Sequence, residues 1–185
     1  MPHISGLTGF NEFLSHLNFA SLATAQVATI TSANLIAIST KQISAITTAA
    51  ISALALDTVK ELSSAQVAAL ISSQIQYLST GQVGVLTSSQ ISNLSSAQLI
   101  ALTTVQAGIL TSSQVAGISA TKIATMESRD IIQLSSDVIA NLTTAQVAGL
   151  ATAQVANLTS AQVSNLTSAN LVALTTAQAG VLTSG

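Results

Sequence analysis

From Leu22 onward, apolar residues fall at two fixed places in an eight-residue frame that never gains or loses a position. The first place holds Leu, Ile or Met in all twenty complete octads, and the sixth holds Val, Ile or Leu in all but two, which carry Ala107 and Ala179. Between them the chain is polar. Position 2 is Ser or Thr in fifteen octads, position 3 in eighteen, and position 5 is Gln in thirteen, as in LSSAQVAA from Leu62 and LTTAQVAG from Leu142. A partial unit, LTSG, follows the last complete octad, and a weaker one, LSHLNFAS, precedes the first.

Neither regular element runs through such a frame. In a continuous α-helix eight residues advance about 800°, so the first-position stripe would rotate by about 80° per octad and hold no buried face. In a continuous strand, positions 1 and 6 would point to opposite faces. Each octad therefore contains a bend. The pattern [ST]-x-x-Q from position 2 to position 5 is a capping box, in which the hydroxyl takes one free helix N–H and the Gln reaches back to another. With position 2 as N-cap, positions 1 and 6 are N′ and N4, the partners of a hydrophobic staple. Asn or Gly at position 8 (Asn93, Gly117, Asn141, Gly149, Asn157, Asn165) suits a left-handed residue ending the helix.

Helices this short do not stand alone. Burying one Leu and one Val contributes ~3–6 kcal/mol, against roughly 8–16 kcal/mol of backbone entropy for eight residues. Stacking must supply the remainder, and Ala at positions 4 and 7 permits close approach. The predicted fold is an all-α solenoid of very short helices, one per octapeptide. The alternative is a β-solenoid with AQV and ANL triplets as strands, favoured by Thr, Val and Ile but opposed by the Ala content and the scarcity of Gly and Pro at corners.

A longer echo overlies the octads: LTSSQISNLSSAQLIALTTVQAGI from Leu86 returns as LTSAQVSNLTSANLVALTTAQAGV from Leu158, which points to block duplication. Residues 1–21 break the pattern. They hold the one Pro, both His and all three Phe, and Phe10, Phe13, Leu14 and Leu17 recur at i, i+3, i+4, i+7 after Thr8, a capping residue. The expected organisation is a terminal capping or docking segment over 1–21, with Phe10, Phe13, Leu14, Leu17 and Phe19 as its contact residues, followed by the solenoid over 22–185.

Composition narrows the chemistry. Only ten of 185 side chains carry a formal charge, and the net charge of −2 comes with no basic cluster, which excludes a nucleic-acid reader. Although mean hydropathy is +0.64, Ser, Thr or Gln interrupts every apolar run well before the roughly 20 residues of a membrane span. The first basic residue is Lys41, so no Sec-type signal peptide is legible. Cysteine is absent, removing disulfides and thiol chemistry. His3 and His16, with Glu12, lack metal-ligand spacing and fall in the capping segment. The many Ser and Thr have no His within the array to act as base and read as caps. No glycine-rich phosphate loop is present. The charges at Asp57, Lys60 and Glu61, then at Lys122, Glu127, Arg129, Asp130 and Asp137, read as a solvated face or an intermolecular salt-bridge patch rather than as paired hydrolytic carboxylates. The N-x-[ST] triplets at Asn93, Asn141, Asn157 and Asn165 follow from the repeat grammar itself. No cofactor and no enzymatic activity are expected.

Units such as LTTAQVAG, LSSAQVAA and LTSAQVSN resemble the tandem LTTAQ-type octapeptide runs of large bacterial secreted or surface proteins, over residues 22–185. The resemblance implies an extracellular or cell-surface setting of adhesin or fibrous character and carries over no catalytic residue. The functional expectation is a structural protein that self-associates end to end, with copies of itself as partner. The second expectation is a module that binds a repetitive ligand, a polysaccharide or ice.

Overall fold

Every octad of the computed structural model, which describes residues 15–182, forms one short helix. The α-helices are four to seven residues long, from Thr24–Val27 to Thr176–Leu182, and 3-10 turns stand at Phe19–Ser21 and Ser32–Ala37. No strand occurs among the described residues. The protein is an all-α solenoid of short helices, and the strand-based alternative is excluded. The chain divides into two compact units, Met1–Leu86 and Thr87–Gly185.

The capping-box frame is the frame of the structure. In the first unit Ser63, with φ −64° and ψ 153°, is the N-cap of the helix Ser64–Ala68. Its Oγ accepts from the Gln66 N–H at 3.2 Å while Gln66 Oε1 accepts from the Ser63 N–H at 2.9 Å. In the second unit Thr143 and Gln146 repeat this at 3.2 and 2.9 Å. The extended N-cap turns the chain and closes each corner, because it cannot continue the preceding helix.

Within each unit a helix packs on the helix three octads earlier. Ser64–Ala68 lies on Thr40–Ala45 and Ser72–Tyr77 on Thr48–Ile51 in the first. In the second, Thr144–Gly149 lies on Ala120–Ile123 and Thr176–Leu182 on Thr152–Ala156. Hydrogen bonds link residues 28 to 31 apart, so a turn takes between three and four octads. The sixth-position residues line the centre: Val27, Ile43, Ile51 and Val67 are fully buried, as are Ile91, Leu99, Ile123 and Val155. First-position Leu residues seal the corners around them.

Position 8 ends the helices differently from the expectation. No described residue has a positive φ. Asn157 and Asn165 stay right-handed at φ −95° and −93°, and their side-chain Nδ2 donates to the carbonyls of Ala153 and Ala161 at 2.6 and 2.7 Å. Asn93 and Asn141 do the same to Ser89 and Asp137. The left-handed residue is unnecessary because the amide itself takes an orphan carbonyl.

The glycines serve closeness between turns. A Cβ on Gly149 would lie 2.9 Å from Ala120 Cβ and 3.1 Å from Ala120 O, and one on Gly117 would lie 3.0 Å from Ser88 O. Gly149→Ala is expected to cost about 1–3 kcal/mol through overpacking, with partial rescue by Ala120→Gly. Gly180, with nothing within 4 Å of its Cβ direction, is the control: Gly180→Ala should stabilise by roughly 0.5–1 kcal/mol through helix propensity. Chemical denaturation of the three variants checks both signs.

Candidate functional site

From Gln66 onward the position-5 Gln is buried, which a capping box alone does not require. Gln66, Gln74 and Gln82 in the first unit, and Gln146, Gln154, Gln162 and Gln178 in the second, are at most 7% exposed. Their Oε1 closes the helix N-terminus, and their Nε2 points the other way, into the preceding turn. Gln74 Nε2 donates to the carbonyls of Ile43 at 3.0 Å, Ser44 at 3.3 Å and Ile46 at 2.7 Å. Gln154 Nε2 reaches Ile123 O at 3.0 Å and Met126 O at 2.7 Å. The acceptors shared by these seven are a sixth-position carbonyl 31 residues back and a first-position carbonyl 28 residues back, as for Gln82 with Ile51 and Leu54 and for Gln178 with Val147 and Leu150, whereas Gln42 reaches Ser15 O and Leu17 O. A carboxamide suits this place because it accepts at one end and donates two hydrogens at the other. Each such Gln is thus a rung joining a helix start to a helix end one turn away.

Sequence reasoning assigned only half of this role. The available signal was that Gln persists where position 2 has no hydroxyl, at Ala23, Ile71 and Ala151, so it cannot serve the reciprocal cap alone. There the Oε1 atoms of Gln26, Gln74 and Gln154 still accept from the N-cap N–H at 2.9, 2.8 and 2.7 Å.

Other residues in the slot show what it requires. Thr58 Oγ1 donates to Ile30 O at 3.0 Å, and Lys122 Nζ donates to Ser92 O at 2.7 Å. Asn170 Nδ2 donates to Ala140 O at 3.2 Å. Asn34, one methylene shorter than Gln, still accepts from the Thr31 N–H at 2.9 Å. These four bring a donor toward a carbonyl, a helix-start acceptor, or both, while Ala50 and Val138 fill the slot with no polar group. Asp130 brings neither: it is wholly buried and both carboxylate oxygens lack a hydrogen-bond partner. This corrects the reading of the charged residues as a solvated face. Glu127 and Arg129 do fit that reading, pairing with each other at the surface. Burial pushes the Asp130 carboxyl above the usual carboxylate range, with Arg129 lowering it and Glu127 raising it.

The remaining expected residues lie only partly within the described stretch. Phe19 is buried in the 3-10 turn Phe19–Ser21, which packs on Thr40–Ala45, and Leu17 is partly buried. Phe19 therefore belongs to the core of the first unit. Phe10, Phe13, Leu14, His3 and Glu12 lie outside the described residues, and His16 is exposed. Asp57, Lys60 and Glu61 line an open groove of about 890 Å³ with Leu35, Ile36 and Ile38. No group of three or more His, Asp or Glu converges among the described residues, and none of the described helices is long and apolar enough to cross a membrane.

The rungs define a repeat grammar of N-cap, Gln and apolar staple. Residues 59–96 and 123–160 match the family model described as the ALTTAQ repeat. Those two segments are similar to the ALTTAQ repeat. In these ALTTAQ segments the conspicuous Gln is the rung, and the Leu before the Thr or Ser is the corner residue of the stack. A comparison with curated proteins finds no match.

Proposed function

We propose that this chain is a non-catalytic structural protein whose copies associate end to end into a fibre or layer, in an extracellular or cell-surface setting. The observation that supports the reading is the uniformity of the rungs: within each unit a turn offers the next the same main-chain carbonyls and is joined to the one before through the same amides. A stack that repeats its own contacts can take a second copy in the same register, and a head-to-tail contact that does not close grows into a filament. Leu171, a sixth-position residue on the last described turn, is 48% exposed and is the apolar site at which an added charge tests the contact. A net charge of −2 offers little repulsion against it.

Sedimentation velocity across a concentration series, with electron microscopy, tests this reading. The wild-type chain should show mass growing with concentration, and Leu171→Glu should remain small. Monomers alone at every concentration overturn it. A second reading, recognition of a polysaccharide or ice, draws on the exposed third-position hydroxyls of Thr144, Thr152, Ser160, Ser168 and Thr176. Retention of monomeric protein by an ice or glycan surface would favour it.

A further inference from the structure

Asp130 stands where every other polar side chain whose far-end bond is seen presents a donor, Ala50 and Val138 being the apolar occupants of the slot. Counting back as the neighbouring rungs do, 31 and 28 residues from Asp130 lead to the carbonyls of Leu99 and Leu102, and the 30-residue reach of Asn170 leads to that of Ile100. A carboxylate there would set acceptor against acceptor in a site from which water is excluded, with neither oxygen bonded. Buried groups of this kind neutralise rather than remain charged. Asp is the isostere of the Asn that fills the same place at position 170, and one added hydrogen gives it the donor that Asn supplies.

We infer that Asp130 is a proton-binding site, held in the folded chain as a neutral carboxylic acid that donates its hydrogen to a main-chain carbonyl of the preceding turn. The proton comes from solvent and returns to it when the turn opens. The nearby charge that favours the carboxylate, Arg129, is outweighed by burial. The helices packed against Ser128–Ile131 are Thr104–Gly108 and Thr152–Ala156, and neither contains a titratable residue. On its own element Glu127 and Arg129 are engaged with each other. The upward displacement of the carboxyl by burial agrees in direction.

The sign of the pH effect follows. Below the ordinary Asp value of about 3.9 both folded and unfolded chains are protonated and the contact is fully present. Above it the unfolded chain releases its proton while the folded chain keeps it. Stability from this site therefore falls about tenfold in the folded-to-unfolded ratio per pH unit, until the pH passes the folded-state value and the loss levels off. The Asp130 rung thus makes this turn an acid-strengthened latch in a ladder whose other rungs, Lys122 aside, carry no ionisable group.

Asp130→Asn tests the assignment, because the amide is permanently neutral and Asn170 shows that the slot accepts it. Denaturation midpoints of wild type and Asp130→Asn, measured from acid to mildly alkaline pH, should diverge as pH rises, with the variant more stable at neutral pH. The infrared spectrum of the folded wild type should show a protonated carboxylic acid band that the variant lacks. Parallel midpoint curves, or absence of that band below neutral pH, overturn the proposal. Sodium, potassium or calcium ions added at alkaline pH should leave the difference unchanged. Selective stabilisation of the wild type by one of them would mean that the slot takes a metal ion instead, which also overturns it.

Discussion

Gln74→Glu is expected to destabilise the first unit by about 3–5 kcal/mol at neutral pH, the range for a buried charge left without a partner. Gln74 is wholly buried, and its Nε2 supplies hydrogens to three carbonyls, those of Ile43, Ser44 and Ile46. The Glu variant keeps the oxygen that caps Ile71 N–H and loses every donor toward the preceding turn. Its folded-state pKa would be raised by burial. The sign is that of Asp130: stability is recovered as pH falls toward the unfolded value and is lost as pH rises through the folded one. Denaturation followed by far-ultraviolet circular dichroism at neutral and acid pH should show the largest loss at neutral pH. Equal loss at both would mean that the two donor hydrogens and the geometry of the amide matter, and that charge does not.

The second large effect is in the core. Ile75 is 1% exposed and occupies the sixth position of its octad. Ile75→Ala should cost about 2–5 kcal/mol, the transfer term of the lost methyl groups together with the cavity they leave. Ile36 has the same side chain but is 91% exposed, and Ile36→Ala should fall within about 0.5 kcal/mol of neutral. The contrast separates burial from residue type, and denaturant midpoints of the two variants measure it.

These expectations rest on features that differ in how visible they are from sequence. The position of each helix start was legible because Ser63 and Gln66, three residues apart, satisfy each other's backbone by local geometry. The sixth-position core was legible because a staple at N4 faces inward in any stack. The inter-turn role of Gln was not, since its acceptors lie 28 and 31 residues away and no local rule names them; only the survival of Gln opposite Ile71 and Ala151 hinted at it. The left-handed helix ends expected at Asn157 and Asn165 gave way to side-chain bonds to the i−4 carbonyl. Both solutions satisfy the same orphan group, and packing of the next corner selects between them. Asp130 looked like a surface charge because composition alone places Asp outside; counting it as position 5 would have placed it inside.

The rung geometry also governs how such arrays can change length in evolution. Distances of 28 and 31 residues carry position 5 onto positions 1 and 6 of other octads, and this correspondence is unaltered when a whole octad is inserted or removed. Recombination that adds or drops eight codons leaves every amide opposite a carbonyl of the same kind, although the octads paired are new ones. Any other increment would slide helices out from under their neighbours. The long echo between Leu86 and Leu158, a whole number of octads apart, is the trace expected of a protein whose size is free to drift only in units of its own grammar.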